Sequence, residues 1–180
     1  MLSDLEDIIL FASLAHKNQK MVEPEVPYFT HVIGVASNVL EAYYNGKHPF
    51  DLDYALKLAI LHDIIEDTEI CYQNLENKYG ERVAKGVLAL TKNEEINKNF
   101  RIEEAISRIK LCDKEVAIVK LADRVFNMRS KPACWDKSQC ERYYNDAKKI
   151  FYELGYANEY LKQKLKERIE WYNLNDKKKR

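Results

Sequence analysis

The sequence is poor in the residues that punctuate β structure and that stabilise small secreted folds. It has five glycines and four prolines in 180 residues, and no segment alternates apolar and polar residues at strand spacing. That excludes a sandwich or barrel of short strands joined by tight turns. Its four cysteines, at 71, 112, 134 and 140, include no C-x-x-C pair. A zinc ribbon and a disulfide framework are therefore excluded, and a reducing compartment, the cytoplasm, is expected. Neither charge is in excess, with 29 Lys+Arg against 29 Asp+Glu, so general binding to nucleic acid or to a membrane surface is not expected. No apolar run approaches the ~20 residues of a membrane span. The acidic start MLSDLEDII has none of the basic residues that open a signal peptide.

What is present is a core. Hydrophobic residues make up 46% of the chain, and they recur at helical spacing. Ser3 to Glu6 reads as a capping box ahead of Leu5, Ile8, Ile9, Ala12 and Ala15. A loop with two prolines, Met21 to Phe29, follows, and Thr30 is the expected cap of a second helix carrying Val32, Val35, Ala36 and Val39. Asp51 is expected to cap a third helix, Leu52 to about Glu66, which is apolar nearly all round and therefore central. Shorter helices are expected near 72–79 and 81–91, split at Gly80, with a polar loop from Thr91 to Asn99 and a helix over 100–111. Asp113 opens one running to about Arg129. Ser138 to Glu141 reads as another capping box, Gly155 ends that helix, and Leu161, Leu165 and Ile169 mark the last. The expectation is an all-α bundle of about eight to ten helices. It forms one domain over residues 1–174, with a basic, frayed tail at 175–180.

The chain has four histidines: 16, 31, 48 and 62. His62 is followed by Asp63 on the most apolar helix, and a buried His–Asp pair is costly unless its charge is compensated. Glu66 and Asp67 lie one turn further on, crowding three carboxylates near one helix end. Asp123 sits in the apolar stretch Val116 to Val125, with Asn127 one turn later, and His31 opens a helix whose other face is core. Two His and two Asp without thiolate form a mixed N/O donor set suited to one Mn²⁺, Fe²⁺ or Zn²⁺ ion, with a bound water of lowered pKa. The same residues also fit an exposed acidic helix end beside a core histidine. His16 reads as structural and His48 as a loop residue. Lys17, Lys20, Lys92, Lys98, Arg101, Arg124 and Arg129 are candidate cations for an anionic ligand, and Tyr28 and Tyr143 are the tyrosines singled out from the core set.

These residues carry a family resemblance. His31, the His62–Asp63 pair and Asp123 resemble the signature of the HD phosphohydrolase superfamily. LHDIIEDT (61–68), VKLADRVFNMR (119–129), AHKNQ (15–19), PYFTH (27–31) and VAKGVLALTK (83–92) resemble the hydrolase domain of RelA/SpoT proteins, in order. With no room for synthetase and regulatory domains, the chain is similar to the stand-alone small alarmone hydrolases of the metazoan SpoT homologue type.

The resemblance implies an HD-domain bundle and an enzyme that uses one divalent ion per chain, Mn²⁺, to remove the 3′-pyrophosphate from guanosine 3′,5′-bis(diphosphate). A different nucleotide (an adenosine alarmone, NADPH cleaved at its 2′-phosphate, or a nucleoside monophosphate) and a non-catalytic nucleotide-binding module are the other readings. The resemblance implies metal ligation by His31, His62, Asp63 and Asp123. It implies an acidic pair, Glu66 and Asp67, that positions or deprotonates the attacking water, and a polar Asn127 beside the nucleotide. Of the expected substrate contacts, Lys98 and Tyr143 are implied by the resemblance, and Lys17, Lys20, Tyr28 and Arg124 are expected from residue type alone. The expected partner is a small nucleotide, with no nucleic acid and no membrane, and the oligomeric state stays open. The chain departs from the family after AHKNQ: where relatives carry Arg-Lys and a small polar residue, it has Met21, Val22 and Glu23.

Overall fold

The structure, a computed structural model, describes residues 4–177, with side chains through 173. Its helices are α1 (Leu5–Ala15), α2 (Phe29–Asn45), α3 (Leu52–Leu61), α4 (Ile64–Asp67), α5 (Tyr72–Tyr79), α6 (Glu81–Leu90), α7 (Arg101–Ile109), α8 (Lys114–Asn127), α9 (Lys137–Leu154) and α10 (Glu159–Lys177). Among the described residues there is no strand, only an isolated bridge between Lys20 and Pro27. No helix there is long and apolar enough to cross a membrane.

α2, α3 and α8 pack against one another at the centre, and α1, α6, α9 and α10 pack around them. The apolar faces read from the sequence are the faces that meet: Val35, Val39, Leu58, Leu61, Ile118 and Leu121 have no exposed surface. Each such side chain stabilises the fold by about 1.5–3 kcal/mol. Polar ties fix the register between these helices. The Asn38 amide donates to the Ala122 carbonyl at 3.1 Å, joining α2 to α8, and Glu115 of α8 accepts the Asp51 N–H at 2.8 Å at the start of α3.

Several helix ends differ from expectation. Ser3 lies outside the described residues. α2 starts one residue before Thr30, with Tyr28 at the N-cap, because tight backbone bonds from Thr30 N to Pro27 O and from His31 N to Tyr28 O close its first turn. α9 is capped by Asp136, not Ser138. Asp136 and Gln139 exchange side chain-to-backbone bonds of 2.7 and 2.9 Å, which starts the helix at Lys137. Asp113 holds the N-cap position of α8, but its carboxylate accepts from Arg82 Nε at 2.8 Å and caps nothing. Asp51 does cap α3, accepting from Tyr54 N at 3.1 Å. Gly80 separates α5 from α6 at φ +85°, a conformation open to glycine. α10 continues through Lys177, so the tail expected to fray from 175 is helical at first, and 178–180 lie outside the described residues.

The main difference is in the third helix. Instead of running unbroken to Glu66, it stops at Leu61 and resumes at Ile64, with Asp63 at φ −101°, ψ 2°. Successive residues on an α-helix point about 100° apart. An unbroken helix would therefore have aimed His62 and Asp63 at different neighbours. The break turns both toward the same point.

Candidate metal centre and its two flanking cavities

Three core helices deliver the donors. His31 comes from the first turn of α2, His62 and Asp63 from the break after α3, and Asp123 from α8. His31 and His62 are 3% exposed and Asp123 8%. His31 Nε2 and His62 Nε2 are 3.0 Å apart. Asp63 Oδ2 lies 3.3 Å from the first and 2.8 Å from the second, and Asp123 Oδ1 lies 3.6 and 4.0 Å from them. One donor atom from each of His31, His62 and Asp63 falls within 4.8 Å of the others. Donors sharing one ion at about 2.1 Å stand roughly 3 Å apart when adjacent and about 4 Å apart when opposed. The observed separations fall in that range, so the residues fit a single divalent ion.

The electrostatics agree. His62 Nδ1 bonds the Ala59 carbonyl at 2.8 Å, which presents Nε2 to the cluster. Burial works against a charge on His62, but the charge and hydrogen bond of Asp63, then Asp123, outweigh it and push the pKa up to about 9. Burial likewise works to raise the Asp63 carboxyl, yet the charges and hydrogen bonds of His62 and His31 hold it well below the ordinary range. Asp123 is lowered against its burial by Lys120, His62 and His31. The pocket thus holds two carboxylates that require positive charge beside them, the role a divalent cation fills.

Neighbouring groups orient the donors. Tyr28 Oη donates to Asp63 Oδ2 at 2.5 Å, and burial followed by the Asp63 charge raises its pKa, keeping it a donor. The Asn127 amide donates to Asp123 Oδ1. Phe126 sets its ring edge against His31, centroids 5.2 Å apart.

The acidic pair is divided by its surroundings. Glu66 accepts the Lys92 N–H at 2.9 Å and the Lys92 ammonium. The Asp67 carboxyl is raised by burial, then by the Asp63 and Glu66 charges, with Tyr28 opposing. Its backbone carbonyl accepts from Gln19 Nε2, and Gln19 Oε1 in turn lies 2.5 Å from His16 Nδ1. His16, expected to be structural, is tied to Gln19 through Nδ1, while its Nε2 is buried without a hydrogen-bond partner.

Two cavities flank the centre. One, of about 260 Å³, is lined by buried His31, by half-buried Tyr28, Asn127, Arg129, Trp135 and Tyr143, and by the loop 21–23, whose Val22 and Glu23 are exposed and mark its mouth. The other, of about 360 Å³, is lined by Glu66 and by Lys92, Lys98, Lys120, Arg124 and Arg142. Tyr143 belongs to the first and Arg124 to the second. The Arg124 guanidinium lies 4.2 Å over the Tyr143 ring, so the stacked pair stands between them. Arg124 is itself buried, with Nε and Nη1 lacking a hydrogen-bond partner.

Of the expected substrate contacts, Tyr28, Lys98, Arg124 and Tyr143 line these cavities. Lys17 and Lys20 do not. Lys17 is exposed beyond the end of α1, and Lys20, also exposed, pairs with Glu25 at 2.5 Å across the closed loop 20–27. Arg101 braces the 94–96 loop through two carbonyls at 2.8 and 2.9 Å. Sequence reasoning missed Gln19, Lys120, Trp135 and Arg142 as site residues. Arg142 and Asp146 stand at i, i+4 on α9, a spacing that could have flagged that face. Trp135 sits in a connection and carries no periodic signal.

Comparison with known proteins gives consistent relatives. A family model described as HD domain matches residues 9–159. The chain is 30% identical over 168 residues to guanosine-3′,5′-bis(diphosphate) 3′-pyrophosphohydrolase MESH1 of Danio rerio, covering 91% of each. It is 34% identical over 133 residues to the bifunctional (p)ppGpp synthase/hydrolase SpoT of Escherichia coli K12, covering 70% of this chain and 18% of that one. A solved structure of a metazoan orthologue of SpoT, one that hydrolyses ppGpp and plays a role in starvation responses, superimposes with TM-score 0.82 at 26% identity. The match covers 93% of this chain and 94% of that one.

Proposed function

The chain belongs to the HD domain family, and from that premise we propose that it is a guanosine 3′,5′-bis(diphosphate) 3′-pyrophosphohydrolase working in the cytoplasm as one catalytic domain over residues 1–174. The observation that carries the reading is the convergence of His31, His62, Asp63 and Asp123 beside a cation-lined cavity and an aromatic one. Likeness to MESH1 over nearly the whole of both chains supports it. The single buried cluster supports one domain, and the free state of all four cysteines supports a reducing compartment.

His31, His62, Asp63 and Asp123 would hold one ion, and their N/O set without thiolate suits Mn²⁺. Such an ion, when bound, lowers the pKa of water and polarises a phosphoryl oxygen. Asp67 is the group suited to take the water's proton, because burial and its acidic neighbours raise its proton affinity. Glu66, held by the Lys92 N–H and ammonium, places the loop that carries Lys92 and Lys98. Asn127 keeps Asp123 oriented. Lys98, Arg124 and Arg142 offset phosphate charge, and the aromatic cavity receives the base, with Tyr143 as its wall. In the reaction the water oxygen bonds to the phosphorus on the ribose 3′ oxygen. The bond from that phosphorus to the 3′ oxygen breaks, the ribose oxygen takes up a proton, and pyrophosphate leaves.

The test is turnover of guanosine 3′,5′-bis(diphosphate) by purified protein with added Mn²⁺. Pyrophosphate and GDP in equal amounts are expected. Release of orthophosphate alone, or no product while NADPH or another nucleotide is consumed, would overturn the assigned reaction.

A further inference from the structure

The aromatic cavity has an unusual outer end. Its loop runs Met21, Val22, Glu23, and the loop is closed on itself by the Lys20–Pro27 bridge, by Met21 N to Val26 O at 2.9 Å and by Val26 N to Pro24 O at 2.8 Å. Glu23 is held across the cavity mouth: its Oε2 accepts the Ala133 N–H at 3.1 Å, from the connection that carries Trp135. That single bond leaves most of the acceptor capacity of the carboxylate available, since each oxygen has two lone pairs. Arg129, the cation of this cavity, is turned aside. It stacks 3.9 Å over Phe126, donates to the Phe126 carbonyl at 3.0 Å and meets Met21 Sδ at 3.8 Å. The mouth therefore offers the Glu23 carboxylate, with acceptor capacity to spare, beside apolar and aromatic walls.

Purine bases differ in what they bring to such an edge. Guanine presents two adjacent donors, N1–H and the N2 amino group, which a carboxylate accepts together. Adenine presents an acceptor at N1, whose lone pair faces the carboxylate with no proton between them. Hypoxanthine keeps N1–H and lacks the amino group. A site built to bond a substrate N–H discriminates against analogues that lack it, because its polar group is left unpaired.

We propose that Glu23 is a specificity-determining residue that reads the N1–H and N2 amino edge of a guanine held in the aromatic cavity. This rests on the proposed alarmone hydrolase reading for the placement of the base. It goes beyond that reading by assigning base choice to a residue outside the metal centre.

The test uses the full chain loaded with Mn²⁺ and the 3′,5′-bis(diphosphates) of guanosine, inosine and adenosine, together with calorimetric binding of GDP and ADP. Wild type should prefer guanosine, then inosine, then adenosine. In Glu23→Gln the amide oxygen can still accept from Ala133 N, so the loop tie survives while the paired acceptor is lost. KM for the guanosine compound should rise about tenfold with kcat unchanged, and the adenosine compound should change little. A purely structural tie would leave Glu23→Gln with wild-type preference, and that result overturns the proposal. So does a wild type that treats guanosine and adenosine alike. If none of the three compounds is cleaved, the hydrolase reading fails, and the GDP-to-ADP affinity ratio, lost or kept in Glu23→Gln, still decides the role of Glu23.

Discussion

The metal centre and the aromatic cavity touch at His31 and Asn127, yet they are built differently. The centre hangs on α2, α8 and the α3–α4 break, and its donors are nearly all buried and tied by Tyr28, Ala59 and Asn127. The outer cavity hangs on two connections, 20–28 and 129–136, whose residues are all exposed or half-buried and which are joined by the Glu23–Ala133 bond. Helices of a packed core hold reacting groups to within fractions of an ångström, whereas loops on that scaffold vary at little cost to the fold. Chemistry is therefore assigned to the first region and choice of base to the second, and substitutions should separate them.

The largest effect belongs at the centre. Asp63→Ala removes a donor within 3.3 Å of both imidazoles and should abolish both bound metal, read by elemental analysis, and turnover. Retention of one ion per chain with normal activity would break the assignment. Next comes the acidic pair. Asp67→Asn should lower kcat on the order of 10²–10⁴-fold at constant metal content, the range for loss of a general base. Glu66→Gln keeps an oxygen for the Lys92 N–H, so its loss should fall mainly on KM, by roughly tenfold or less. If Glu66→Gln lowers kcat more than Asp67→Asn does, the two roles are reversed.

Gly34 links the two regions through packing. A Cβ there would lie 1.8 Å from Phe126 Cε2. Phe126 supports His31 on one side and carries the Arg129 guanidinium on the other. Gly34→Ala must move a half-buried ring packed against the core, at a cost of about 1–3 kcal/mol. At about 2–4 °C per kcal/mol for a chain of this size, calorimetry should show a clear fall in Tm. Mn²⁺ affinity should weaken with it. An unchanged Tm would mean that Phe126 has room to swing away.

The same contrast decides what could be read from the sequence. Helical periodicity located the core, and with it His31, His62, Asp63 and Asp123, because donors that interrupt an apolar face are conspicuous. The break at His62–Asp63 was not legible. The residues favour helix, and only the requirement that two adjacent side chains meet one point interrupts it. Gly34 carried no signal either, since its partner Phe126 is remote in sequence. In the loops, residue type alone suggested that Lys17 and Lys20 would reach the substrate, but whether a lysine turns in or out depends on how the loop closes, and no period records that.

The smallest expected effect is the one that tests this last point. Lys98 lines the cation-rich cavity, while Lys20 pairs outward with Glu25 and is mostly exposed. A charged hydrogen bond contributes roughly 1.5–3 kcal/mol when sheltered and less at an open mouth. Lys98→Ala should therefore raise KM by roughly three- to tenfold, more at low salt than at high, because a solvated cation acts over a screened distance of about 10 Å. Its kcat should hold, since the lost contact serves ground state and transition state alike. Lys20→Ala removes a surface pair worth little and should leave KM within about twofold at any salt. The comparison is sharpest in the double variant. If Lys20 contributes nothing to binding, Lys98→Ala with Lys20→Ala should match Lys98→Ala alone. A further rise in KM, salt-dependent like the first, would mean that loop 20–27 turns its lysine inward when the nucleotide binds, and that the loop moves to complete the site.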